Sequence, residues 1–203
     1  MNKKSLIIIL ILAWSISPIL WQLYTSFSTP EALLNPFDFS QINRWTLENY
    51  KLLLYSKPGF WRYILNSTIL GLISTLLTLI ISIPAAYSIS RVRNQATKIY
   101  KLFLISAALF PYVLLFLALL EVARNLNLGN NLLALSIPYT ALSLPLAILL
   151  LSSAFDGVPI DLEDAAKIEG LNIYQRIKDI LLPLMAPAIG STSILVFLFS
   201  WNE

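Results

Sequence analysis

With 203 residues, of which 57% are hydrophobic and only 12% charged, and a mean hydropathy of +0.73, the chain is far more apolar than a soluble domain, where charged residues alone make up about a quarter. The absence of cysteine and histidine excludes disulfides, thiolate chemistry, Cys/His metal sites and imidazole acid–base catalysis, and nothing else in the chain calls for a cofactor. The formal net charge of +3 matters less than its placement, because basic residues in short links set how a membrane chain is oriented.

Five segments are apolar and long enough, at roughly 20 residues, to cross a hydrocarbon core of about 30 Å. They lie near 5–27, 65–90, 101–122, 132–154 and 181–201. Lys3 and Lys4 precede the first, as in a signal peptide. Its apolar run continues through Trp21, however, past the usual h-region of about 7–15 residues, and no small-x-small cleavage site closes it. An uncleaved first span is expected.

The 28–64 segment that follows is a loop with structure of its own. Pro30, Pro36 and Pro58 punctuate it, and Trp45, Tyr50, Tyr55, Phe60, Trp61 and Tyr63 supply the amphipathic rings of a membrane–water interface. "TLENY" begins a short surface helix with Thr46 as its N-cap. This loop serves either as an anchor or as a docking surface for an external partner.

Between the second and third spans, Arg91, Arg93, Lys98 and Lys101 stand without an acidic neighbour. With Lys3 and Lys4 they put the N-terminus and this link in the cytoplasm. Alternation then places 28–64 and the Arg124–Asn131 link outside, 155–180 inside, and Glu203 outside. Mid-span the chain is free of ionisable side chains, with Glu121 only at the outer margin of the third span. That argues against an ion-coupled carrier, which uses intramembrane charges, and no polar filter or charged ring suggests a channel. Prolines (Pro18, Pro84, Pro111, Pro138, Pro145, Pro187) and hydroxyls (Ser74, Thr75, Thr78, Thr140, Ser143, Ser191, Thr192, Ser193) do occur within the spans. They fit either a bundle lining a polar path or ordinary membrane-helix packing.

The 155–180 link is patterned as a helix-turn-helix. Asp161 is a predicted N-cap for a helix over Leu162–Glu169, with Glu163 and Asp164 favourable to its dipole. At 100° per residue, Leu162, Ala165 and Ala166 fall on one side and Glu163, Asp164 and Lys167 on the other. Gly170 stands where a left-handed C-cap is wanted, and Asn172 with Gln175 forms the next capping pair. Ile173, Ile177, Ile180, Leu181 and Leu184 give the second helix an apolar stripe that runs into the fifth span and bends at Pro183. The first helix, about eight residues long, is too short to stand alone. Its own bundle or a cytoplasmic partner must hold it.

"EDAAKIEG" followed by "ILLP" resembles the EAA signature of bacterial ABC importer permeases, of the form E-A-A, three residues, G, nine residues, I-x-L-P. Asp164, Ala165, Ala166, Gly170, Ile180, Leu182 and Pro183 occupy those places, with Asp164 in place of the usual Glu and Glu163 beside it. "TLENY", "LNS" at Leu65–Ser67, "AAYSISR" at Ala85–Arg91, "FP" at Phe110–Pro111, "VPIDLEDAA" and "WNE" fall in the order seen in carbohydrate permeases of the maltose-transporter kind. The resemblance implies an all-α polytopic bundle forming one permease domain over 1–203, in the cell membrane, that is not itself an enzyme. Its EAA helix (Glu163 through Gly170, with Ile180, Leu182 and Pro183) docks on a separate cytoplasmic ATPase, which Arg91 or Arg93 also touches unless they serve only the positive-inside bias. A second permease subunit and an external solute-binding protein complete the importer, with sugar as substrate and no nucleic-acid partner. Permeases of another solute class (amino acid, peptide, phosphate) share the EAA signature, while "TLENY" and "WNE" favour carbohydrate. Family members continue past "WNE" with a further span, so a sixth span beyond this chain is expected. No G-x-x-x-x-G-K-[ST] phosphate cradle is present. Substrate contacts are expected from Tyr139, Ser143, Ser191 and Ser193 on the fourth and fifth spans.

Overall fold

The computed structural model describes residues 3–34, 45–92, 94–125, 128 and 131–202. Pro36, Arg93 and Glu203, singled out in the sequence, lie outside the described residues. Helices account for nearly all of what is described: α1 (Lys3–Ser26), α2 (Pro30–Leu34), α3 (Glu48–Tyr55), α4 (Phe60–Arg91), α5 (Gln95–Ala108), α6 (Tyr112–Asn125), α7 (Leu132–Asp156), α8 (Ile160–Ile168), α9 (Ile173–Gln175), a π-helical turn (Arg176–Leu181) and α10 (Leu182–Trp201). The chain divides into two units, 1–63 and 64–203.

In the first unit α1 is a single apolar helix with Pro18 inside it, long and apolar enough to span a bilayer. Its end is tied to the following segment by backbone and side-chain contacts. Thr46 N–H donates to Phe27 O at 2.7 Å, and the Asn49 amide donates to both Ser26 O and Ser28 O at 3.0 Å. The Thr46 hydroxyl accepts from Glu48 N–H at 3.0 Å, so it caps the start of α3 as the sequence predicts. Tyr24 meets Trp45 edge-on at 5.4 Å and Phe27 meets Tyr50 at 5.2 Å. These rings order the short connection.

The second unit is a helix bundle built on α4 and α7. At 32 residues α4 is about 48 Å long, enough to cross a bilayer and extend beyond it. Its buried face reads Leu70, Gly71, Ser74, Thr75, Thr78, Ser82, Ala86 and Ser90. Such small residues recur about every fourth position, which lets neighbouring helices approach closely. The Ser74 hydroxyl donates to Ser136 O and the Thr140 hydroxyl to Ser74 O, both at 3.5 Å, crossing from α4 to α7 in each direction. The apolar core gathers Ala86, Ile148, Leu151, Phe155, Leu181 and Met185 at one end of this contact.

Two spans differ from their predicted form. The third is not one continuous helix over 101–122: α5 and α6 meet at 88°. Pro111 sits at the break, where its ring disfavours helical geometry in Phe110 and it has no N–H to give. Among the described residues, counting the pair as one broken span brings the total to five; counted apart, four helices are long and apolar enough to cross. The fifth span does not simply bend at Pro183. The chain widens into a six-residue π turn, with Leu182 N–H donating to Ile177 O, and Pro183 enters the first turn of α10. Widening one turn before a proline removes the clash of its ring with the preceding carbonyl.

Candidate functional site: the helix-turn-helix at the end of the bundle

Helix α8 begins at Ile160, earlier than expected, because Pro159 is extended (φ −57°, ψ 132°) and itself provides the N-cap. Asp161 therefore falls inside the first turn, with Glu163, where both favour the helix dipole. The other end follows the sequence closely. Gly170 is left-handed at φ +84°, its N–H donates to Lys167 O, and Leu171 N–H donates to Ala166 O, both at 3.0 Å. That is a Schellman close. Asn172 and Gln175 then exchange side-chain-to-backbone bonds of 2.9 Å in a full capping box that starts α9.

The buried face of α8 is not the one predicted. Leu162 and Ala165 are exposed, while Glu163 and Ala166 are buried, each 3% exposed. Hydrophobicity put the carboxylate outside, but here both of its oxygens are met. Arg91 Nε pairs with Oε1 at 2.5 Å and the Tyr87 hydroxyl donates to Oε2 at 2.8 Å. A buried charge is tolerated when it is paired and hydrogen-bonded in this way.

Arg91 is the hub. Beyond Glu163, its Nη1 donates to Phe155 O at 3.0 Å and to the Ser90 hydroxyl at 3.1 Å, and its Nη2 to Val158 O at 3.3 Å. Phe155 O belongs to the last turn of α7, whose closing carbonyls have no helical partner and draw positive charge. Ser90 donates to Asp156 at 2.6 Å and Lys101 of α5 donates to the same carboxylate at 3.1 Å. One guanidinium thus gathers α4, α7 and α8, and Asp156 adds α5. Sequence reasoning gave Arg91 a role in orientation and missed this pairing. The available signal was Tyr87 and Arg91 four residues apart on one helical face, opposite an acidic residue sharing a face with alanine.

The remaining signature residues are placed as follows. Asp164 is exposed and pairs with Lys167 at 2.7 Å, an i,i+3 contact on the helix surface. Ala165 is exposed beside it. Ile180 lies half-buried on the π turn, and Leu182 and Pro183 lie at the start of α10, half-buried and exposed respectively. The outward face of α8 is therefore Leu162, Asp164, Ala165, Lys167 and Ile168, a slim surface carrying one alanine at its centre.

Of the four residues expected on a substrate path, two come together. Tyr139 and Ser143 lie one turn apart on α7, and both are buried. The Tyr139 ring meets Phe116 at 5.2 Å and Phe199 at 6.4 Å, and Tyr112 meets Phe199 at 5.7 Å. Ser143 lines a cavity of about 190 Å³ at the α5–α6 elbow, with Phe110, Tyr112, Leu142 and Phe199. Its hydroxyl has no hydrogen-bond partner. Ser191 and Ser193 instead donate to Ala188 O and Ile189 O of their own helix, a common way for α-helical hydroxyls to satisfy themselves.

Residues 5–203 match the family model described as "Binding-protein-dependent transport system inner membrane component". The chain is 36% identical over 187 residues to the sulfoquinovosyl glycerol transport system permease protein SmoH of Agrobacterium fabrum, a match covering 92% of this chain and 65% of that protein. It is also 36% identical over 190 residues to the trehalose/maltose transport system permease protein MalG of Thermococcus litoralis, covering 92% and 66%. The chain thus spans about two thirds of the length of these curated relatives. A chain of a bacterial ABC transporter involved in the import of the polysaccharide alginate has the same fold, with a TM-score of 0.74 at 20% identity over 98% of this chain and 70% of that one.

Proposed function

This chain belongs to the family of binding-protein-dependent transport system inner membrane components, and on that premise we propose that it is the permease subunit of an ABC importer for sugars or oligosaccharides. Two relatives at 36% identity are named for glycoside and disaccharide transport, which supports a carbohydrate substrate. The observation that carries the mechanism is α8: a stub of helix with a slim, exposed face on one side and a buried ion pair on the other. In this reading the exposed face, with Asp164 and Ala165 at its centre, docks on a separate cytoplasmic ATPase. Closure of the ATPase on ATP shifts α8 and rocks the bundle between inward- and outward-facing states, while an external binding protein delivers the sugar and a second permease subunit completes the path. The basic link around Arg91 and Lys101 supports placing α8 and the N-terminus on the cytoplasmic side. Tyr139 and Ser143 contribute a hydroxyl and an aromatic wall to the substrate path.

The test is Gly170→Val in the full-length subunit, reconstituted with its partners in proteoliposomes. A β-branched side chain at φ +84° strains the turn that aims α8. Membrane insertion should be preserved and sugar-stimulated ATP hydrolysis lost. Stimulated hydrolysis at the unmodified level would remove α8 from the coupling role.

A further inference from the structure

The two ends of α8 are attached in different ways. On the α4 and α7 side, the attachment is dense and buried: Glu163 receives Arg91 and Tyr87, and Arg91 also holds Phe155 O and Val158 O. All three nitrogens of the Arg91 guanidinium donate to protein oxygens. On the α10 side, the chain passes through left-handed Gly170, around which an added Cβ would meet nothing within 4 Å. It then passes through an exposed capping box and a π turn in which the buried Nε and Nη1 of Arg176 have no hydrogen-bond partner. Irregular turns with unmet polar groups are where a fold yields first.

We infer that Glu163 and Arg91 are positioning residues forming a rigid joint, through which α8 moves as one body with the ends of α4 and α7, while the exposed 170–175 turn flexes and lets the part of α10 beyond the shared Leu181 and Met185 core lag. This rests on the proposal that α8 receives its motion from the ATPase. The pair is not itself a docking contact, since Glu163 is turned into the bundle. Its role is to make the displacement of a short, intrinsically unstable helix arrive at α4 and α7, two helices long and apolar enough to cross the membrane. A hydrogen bond or ion pair closed at both ends in a desolvated setting is stiff, because breaking it leaves a buried charge uncompensated.

Residues 1–203 contain no cysteine; with any cysteine elsewhere in the full-length subunit and its partners replaced by serine, spin labels report cleanly on engineered pairs. In the full-length subunit assembled with its partner permease, ATPase and binding protein, labels at Ser88 and Lys167 read the α4–α8 distance, and labels at Lys167 and Ser191 read α8–α10. Between the nucleotide-free and ATP-trapped states the first distance should stay constant to within about 2 Å and the second should change by more than that. A change in the first as large as in the second overturns the joint.

Function is read with Arg91→Cys/Glu163→Cys, before and after a short thiol-to-thiol cross-linker. Unlinked, the variant should retain ATPase binding and lose about tenfold or more of transport; the covalent link should restore most of it. Wild-type transport without the link, or none with it, overturns the inference. Co-purification of the ATPase with an Ala165→Trp variant separates the two ideas. If that bulky substitution leaves the ATPase bound, the docking reading fails. If it releases the ATPase while the unlinked cysteine pair transports normally, only the joint fails.

Discussion

Each oxygen of the Glu163 carboxylate meets a donor, and each of those donors is itself held: Tyr87 by its edge-on contact with Phe155 at 5.7 Å, Arg91 by two backbone carbonyls. Removing one member therefore costs more than one hydrogen bond. Glu163→Ala leaves the Arg91 guanidinium buried without its counter-ion, a loss expected at about 3–5 kcal/mol. Asp164→Ala breaks only a surface i,i+3 pair that is more than half exposed on both sides, expected at about 0–1 kcal/mol. Thermal unfolding of the detergent-purified complex separates them. Similar midpoints for the two variants would show that burial of Glu163 does not contribute. Ser143 offers the complementary case. Its hydroxyl is buried and unmet, so Ser143→Ala should leave stability unchanged or raise it by up to about 1 kcal/mol. If the hydroxyl is kept for the substrate, the same variant should raise the KM of sugar uptake several-fold, and an unchanged KM would take Ser143 off the path.

Among the elements, those fixed by local chemistry were legible in advance. Gly170, Asn172 and Gln175 define a turn through backbone conformation and capping bonds that need no distant partner, and the structure has them as read. Pro159 and Pro111 acted locally too, but shifted a helix start and broke a span where apolar length alone suggested continuity. What the sequence could not display was any feature that depends on a residue far along the chain. The buried face of α8 is set by Arg91, 72 residues away, and no helical wheel of 160–168 contains it. Close helix contacts share that property. At Gly71 an added Cβ would stand 2.9 Å from the Phe197 ring of α10, so Gly71→Val should destabilise the α4–α10 packing by about 1–3 kcal/mol. Gly190, with nothing within 4 Å, is the control: Gly190→Ala should be neutral or stabilising by up to about 1 kcal/mol. Melting temperatures of the two variants that fall together would indicate that Phe197 rotates away freely.

For the whole molecule, composition and hydropathy were enough to read a multi-pass helical membrane protein, and the family follows from a match over nearly the entire chain. Sidedness rests on the basic links alone, so it has its own test. Single cysteines in place of Lys51 and Lys167, in a full-length subunit whose other cysteines, if any, are replaced by serine, can be probed with a membrane-impermeant thiol reagent on intact cells. Lys51→Cys should label directly and Lys167→Cys only after permeabilisation. The reverse pattern would invert the topology and put α8 out of reach of any nucleotide-consuming partner.

Bulky interlocking side chains act as ratchet teeth: a helix must climb out of one notch before it drops into the next. Ser74, Thr78 and Ser82 present instead a shallow face, and the hydroxyl links from Ser74 to Ser136 O and from Thr140 to Ser74 O fasten α7 to it at mid-length. Gripped at one tip by Arg91 and stitched along its flank, α4 is shaped to carry α7 with it, as two bars of one strut.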